Sequence, residues 1–257
     1  MEYNMTQWGF KIQRYFYFSE AEIRNILITI ILLSSLVGFD DGQAVFQWSF
    51  WLRNYINTLI VVALAVIVHL TVQRIWALKD GYRVDYNLGM VPMVLAIIFF
   101  FASGGKIWFL AMGGISFTML ETHRLGYFRY QVSVYEQSIS ALMGNIANII
   151  LAFIFIFFYR LWPSNPLIER AIWVNLAYAI SNMAPIPPLD GTLVFMWKWK
   201  ILYFMSWGWM IGIAVVLKLF FIFHFGGWTF FLLLLGSLVF AFLFNKGVGK
   251  IEQKFFT

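Results

Sequence analysis

Few side chains in this sequence can do chemistry, and they fall in four places. His69 and Gln73 stand four apart in Val66-Ile67-Val68-His69-Leu70-Thr71-Val72-Gln73, a spacing that puts both on one face of a helix. Asp190 closes the run Ser181-Asn182-Met183-Ala184-Pro185-Ile186-Pro187-Pro188-Leu189-Asp190-Gly191. Its three prolines cannot continue a regular helix, so the chain must break there. Asn145 and Asn148 share a face in Gly144-Asn145-Ile146-Ala147-Asn148, where the small residues Gly144 and Ala147 admit a close neighbour. Gly113-Gly114-Ile115-Ser116-Phe117 reads as a short extended edge, with Glu121 and His123 soon after. An imidazole, a carboxylate and several amides can together ligate a metal ion. The same groups can equally form a buried hydrogen-bonded cluster, and Asp190 can cap a helix starting at Gly191. Both readings stand at this point.

The elements that must position these groups are set by composition. The 257 residues are 61% hydrophobic and 21% aromatic, and only 12% are charged, about half the roughly 25% of a soluble domain. Mean hydropathy is +0.77. So little polar surface cannot cover a water-facing globule of this length, which excludes a soluble enzyme, a disordered chain and a nucleic-acid binder. With no cysteine, disulfides and thiolate metal sites are excluded too. The composition is that of an integral membrane protein, with the lipid bilayer as its first partner.

A spanning helix needs about 20 apolar residues. Stretches at 24–39, 56–76, 138–159, 171–188, 200–223 and 227–244 meet or approach this length. The apolar run from Leu88 to Ala102 ends at Ser103-Gly104-Gly105 and is short for a span, so a re-entrant segment is expected. The fold class expected is an all-α polytopic membrane protein of about six transmembrane helices, with a re-entrant, β-edged segment between the second and third. Six spans place 14 of the 18 basic residues on one face, among them Lys11, Arg14, Arg74, Lys79, Arg124, Arg129, Lys246, Lys250 and Lys254; Arg53, Arg160 and Arg170 fall on the other. By the positive-inside rule both termini are then expected in the cytoplasm. Residues 1–18 mix aromatic and basic side chains, as an interfacial segment does. Residues 1–257 are expected to form a single membrane domain, with 60–195 as its core and 1–59 and 196–257 as flanking helices.

Taken in order, these segments resemble the site-2 protease family of intramembrane zinc metalloproteases. That family carries HExxH on a spanning helix, a GPxxN-type segment opening the next, and NxxPxxPLDG ending a later one. Asn182, Pro185, Pro188, Leu189, Asp190 and Gly191 reproduce the last pattern position by position. Gly144, Ala147 and Asn148 match the middle segment, with Asn145 where proline is typical, and Ala77, Lys79 and Gly81 look like the continuation of the zinc helix. The resemblance implies a zinc site of His69, Gln73 and Asp190. It also implies a substrate groove near Asn145, Asn148, Asn182, Pro185, Gly113 and Gly114.

The departures weigh on the activity. The HExxH positions read His69-Leu70-Thr71-Val72-Gln73. Gln73 offers an amide oxygen, a weak neutral zinc ligand. Leu70 stands at the general-base position and cannot move a proton, and general-base catalysis is typically worth about 10²–10⁴-fold. No catalytic residue is therefore assigned, and zinc is expected to be absent or weakly bound. Glu121, His123 and Glu136 lie outside the expected spans and reach the site only if a loop folds in. The leading expectation is a catalytically impaired pseudoprotease that binds transmembrane or membrane-embedded polypeptide. The alternatives are an active metalloprotease with a non-standard ligand set, and a small transporter using His69, Asp190, Asn145 and Asn148 as a polar path.

Overall fold

The structure, a computed structural model, describes residues 2–39, 46–120, 133–163, 165–197 and 200–223. The expected span at 227–244 lies outside the described residues, as do Glu121, His123, Arg124, Arg129 and the basic residues beyond 245. The chain divides into two compact units, Met1–Lys200 and Ile201–Thr257.

The first unit begins with α1 (Glu2–Tyr15), the stretch expected at the interface, and α2 (Glu20–Val37). Ser19 caps α2 by accepting the N–H of Glu22, and Glu20 and Glu22 complement the helix dipole in the first turn. Helix α3 (Trp48–Asp80) runs 33 residues, about 50 Å at 1.5 Å per residue, longer than the bilayer core of about 30 Å. It stops at Gly81, whose φ of 88° is the left-handed conformation that glycine adopts without strain, and whose N–H returns to Ala77 and Leu78.

Strand β1 (Tyr82–Leu88) pairs antiparallel with β2 (Gly113–Met119), from Tyr82 opposite Met119 to Leu88 opposite Gly113. Helix α4 (Met90–Ala102) lies between them. Because Leu88 and Gly113 face each other, the chain leaves the ladder and returns to the same end. The 88–102 segment is thus half of a closed excursion, not a one-way crossing.

Helix α5 (Val134–Leu161) is followed by α6 (Pro166–Asn182), which Asn165 caps through the N–H of Leu167, with Pro166 at the first position. Helix α6 ends where the three prolines begin, and the chain resumes as α7 (Asp190–Met196) with Leu189 in the cap position. Asp190 is therefore the first helical residue and not the cap. Helix α8 (Lys200–Phe223) belongs to the second unit from Ile201 onward.

Among the described residues, α3 and α5 are long and apolar enough to cross a membrane. Only 39% and 50% of their apolar stretches are buried against the rest of the protein, which separates them from the core helices of a soluble fold. Ile56, Ile60, Leu64 and Ile67 form an exposed stripe on α3, and Ile150, Ile154, Phe157 and Leu161 another on α5. Continuous aliphatic stripes of this kind suit hydrocarbon, not water. The protein is mostly helical and membrane-bound in character. The polar residues turn inward: His69, Gln73, Asn145, Asn148, Asn175, Asn182 and Asp190 are all buried.

Candidate functional site

Four segments converge on Asp190. Helix α3 brings His69 and Gln73, one turn apart; α5 brings Asn145 and Asn148; α6 brings Asn175 and Tyr178; and the proline break delivers the carboxylate itself. Asp190 Oδ2 accepts three hydrogen bonds: His69 Nε2 at 2.9 Å, Gln73 Nε2 at 2.9 Å and Asn145 Nδ2 at 3.0 Å. Gln73 and Asn145 also both donate to the carbonyl of Ala141, at 3.2 and 3.0 Å. That common pair of acceptors fixes which end of each amide is nitrogen.

The other side of the His69 ring is equally determined. Its Nδ1 lies 3.1 Å from Asn148 Oδ1. The orientation of Asn148 follows from its Nδ2, which donates to Ala65 O and Asn175 Oδ1, both at 3.2 Å. Asn175 is held in turn by donating to Ala171 O at 2.8 Å. Nδ1 of His69 therefore faces an amide oxygen, and Nε2 faces the Asp190 carboxyl group. The ring of Tyr178 stands edge-on to it, centroids 5.1 Å apart at 88°.

Small residues make this closeness possible. A Cβ at position 144 would lie 2.6 Å from Gln73 Cγ, so Gly144 provides the space that Gln73 fills. A Cβ at position 191 would lie 2.1 Å from Met183 O, and one at 114 would lie 1.8 Å from Pro188 O. Gly191 lets α7 start against the end of α6, and Gly114 lets β2 press onto the proline segment. Leu110 N donates to Ser181 Oγ at 2.9 Å, which ties the return limb of the excursion to α6.

Of the residues singled out in the sequence, His69, Gln73, Asn145, Asn148 and Asp190 come together. Asn182 lies one turn beyond Tyr178 and donates to its carbonyl at 2.9 Å, while Pro185 is exposed. Gly113 and Gly114 are buried at the end of β2 nearest Pro188. Leu70 belongs to the apolar core with Val84, Tyr86 and Tyr178. Glu136 accepts the Tyr82 hydroxyl at 2.6 Å. That contact and burial both raise the Tyr82 phenol above its usual range, burial being the larger cause.

A zinc ion needs lone pairs from its protein ligands and an open fourth position in a catalytic site. The donors present do not fit that need. Both nitrogens of His69 meet acceptors and Gln73 turns its N–H groups inward; the lone pairs left over belong to the buried Gln73 Oε1 and Asn145 Oδ1, neutral amide oxygens that are weak zinc ligands. Among the described residues, no three His, Cys, Asp or Glu side chains gather as a metal group would require.

Sequence reasoning missed one polar assembly beside the site. Arg74, which follows Gln73, is buried and pairs with Glu22 of α2; it also donates to Tyr17 O and lies 4.0 Å from the centroid of the Phe18 ring. The signal was legible as Glu22, Asn25 and Thr29, three polar residues at i, i+3 and i+7 on a helix rich in isoleucine and leucine.

No family model and no solved structure matches the chain. A protein of Methanocaldococcus jannaschii named "Putative zinc metalloprotease MJ0611" is 26% identical over 208 residues, which cover 75% of this chain and 98% of that protein. The likeness takes in nearly the whole relative. It agrees with a protease-like family for this chain, and the metal in that protein's name contrasts with the donor set found here.

Proposed function

We propose that this chain is a site-2-protease-like membrane protein whose peptidase centre is catalytically impaired and whose scaffold binds membrane-embedded polypeptide. The observation that carries the reading is Asp190 Oδ2, held by three N–H groups where the family resemblance calls for a metal ligand. Leu70 supports it, because a buried leucine at the general-base position has no means of taking a proton from water. Zinc in this reading is absent or weakly bound. The protein crosses the membrane six times with both termini cytoplasmic, and an unwound segment of a partner pairs with the edge of the β hairpin.

The test is metal analysis of the purified full-length protein, followed by incubation with membrane-spanning substrates. The proposal expects well under one equivalent of zinc and no cleavage. One equivalent of zinc together with cleavage sinks it.

The name of the Methanocaldococcus jannaschii relative favours a second reading, an active metalloprotease using His69, Asp190 and Gln73. On that reading a chelator abolishes cleavage, as do His69→Ala and Asp190→Ala; cleavage that survives both replacements removes it.

A further inference from the structure

The excursion between β1 and β2 can be measured against α2 and α3, which run beside it. It leaves from the Asp80 end of α3: Gly81 closes that helix, Tyr82 opens β1, and the Tyr82 hydroxyl donates to Glu136 in the first turn of α5. Tyr86 then lies against the first two turns of α2, where Glu22 Oε1 accepts its N–H at 3.0 Å and Asn25 Nδ2 donates to its carbonyl at 3.2 Å. Phe100, in the last turn of α4, meets Phe39 just beyond the far end of α2, ring centroids 5.4 Å apart at 79°. That far end sits at the other end of α3, because Asn54 Nδ2 donates to Gly38 O at 3.3 Å. Asn54 and Asp80 lie on one helix about 39 Å apart at 1.5 Å per residue, more than the bilayer core of about 30 Å. The lengths agree. Strand β1 has 7 residues, about 23 Å, and α4 has 13, about 20 Å, enough together to pass that core.

Backbone polar groups at such depth need partners within the protein. Along β1 the ladder with β2 and the side chains of α2 supply them, α4 bonds within itself, and Leu110 N finds Ser181 Oγ on the way back. The side chains of α4 divide cleanly. Pro92, Ala96 and Phe100, four residues apart, are buried. Met90, Val91, Val94, Ile98 and Phe101 are exposed, from 48% at Val94 to 81% at Met90. None of the 13 residues is charged or strongly polar, so this face has the same character as the aliphatic stripes of α3 and α5. Polar residues return only at the tip. There Gly104 and Gly105, at φ of 60° and 78°, reverse the chain, Ile107 N donates to Ser103 Oγ at 3.0 Å, and Lys106 is exposed.

We propose that the excursion passes through the whole bilayer, β1 in the half nearer Asp80 and α4 in the half nearer Asn54. Helix α4 then turns Met90, Val91, Val94, Ile98 and Phe101 onto lipid acyl chains, and the tip sets Lys106 in the water of the opposite face. This is deeper than the re-entrant segment expected from its length. The passage out and the passage back cancel, so the sidedness of the termini is unchanged. Lys106 leaves the basic residues expected in the cytoplasm and joins Arg53, Arg160 and Arg170. The inference rests on α3 crossing the membrane and not on the peptidase-like function proposed above.

The chain has no cysteine, so single cysteines report without background. Lys106→Cys, Arg53→Cys and Lys79→Cys in the full-length protein are treated with a charged, membrane-impermeant methanethiosulfonate in spheroplasts and in inverted vesicles of the expression host. Lys106→Cys is expected to label in the preparation that labels Arg53→Cys and to lose the label in the one that labels Lys79→Cys. Labelling alongside Lys79→Cys, in both preparations or in neither, overturns the passage.

The lipid contact is read from nitroxides on Val94→Cys and Ile98→Cys in phosphatidylcholine–phosphatidylglycerol proteoliposomes. Oxygen should relax them several-fold more strongly than a water-soluble nickel chelate, with the order reversed on Lys106→Cys. A stronger effect of nickel at 94 and 98 places α4 in water, and protection from both reagents places another polypeptide on it. Either result overturns the lipid contact.

Discussion

Replacing Asp190 with alanine removes the one oxygen on which three N–H groups converge, and the cost can be worked from their other bonds. Gln73 and Asn145 each keep a second acceptor in Ala141 O, so each loses one bond of two, about 1 kcal/mol apiece. His69 Nε2 loses its carboxyl partner at a buried position, and hydrogen bonds to charged groups are worth about 1.5–3 kcal/mol. Together these come to about 4 kcal/mol. In a chain of this size about 1 kcal/mol moves Tm by roughly 2–4 °C, so Asp190→Ala should melt about 8–16 °C below the wild type. Asp190→Asn keeps an oxygen in nearly the same place and should lose less than half of that. The assay is intrinsic tryptophan fluorescence during heating in detergent, with and without a zinc chelator. The hydrogen-bonded site predicts no effect of chelator on the wild type. A loss below about 3 °C for Asp190→Ala, or a chelator that reproduces the alanine shift in the wild type, refutes the reasoning.

Other perturbations probe the same architecture. Leu70→Glu with Gln73→His restores a second imidazole and a base, and should raise bound zinc to about one equivalent by elemental analysis, against well under one in the wild type. Gly114→Ala drives a methyl group to 1.8 Å from Pro188 O, a backbone atom with little freedom to yield; it should cost at least about 1–3 kcal/mol. Gly208→Ala, where nothing lies within 4 Å, should be neutral or stabilising by up to about 1 kcal/mol in the same melt. Arg74→Met strands the buried Glu22 carboxylate and should cost about 3–5 kcal/mol, most of it recovered when Glu22→Leu is added.

What could be foreseen followed the locality of the signal. The helices were legible because apolar runs and their terminators lie within one stretch of chain. The segment expected at 138–159 extends to Val134–Leu161, and that at 171–188 stops at Asn182, where the prolines begin. The pairing of Asn145 with Asn148 was legible for the same reason. Strand β1 was not, because its partner lies 25–37 residues on and no local pattern marks it. Gln73 stands where the resemblance places a ligand, and its amide nitrogen donates to Asp190. That choice is set by Ala141 O on α5, which the neighbourhood of residue 73 in sequence does not reveal. Arg74 reads as an ordinary cytoplasmic charge until α2 is seen to supply Glu22.

Asn148 carries a consequence for motion. Its one amide reaches α3 through Ala65 O and His69, and α6 through Asn175. It works as a key seated in two keyways at once. Sliding α3 by a helical turn, about 5.4 Å, would break the bonds to Ala65 O and His69, and sliding α6 would break the bond to Asn175, all at a buried position. The three central helices are thus barred from piston-like travel. Any rearrangement that accompanies partner capture has to come from pivoting of the excursion between Leu88 and Gly113 or of the proline segment, with the helical frame standing still.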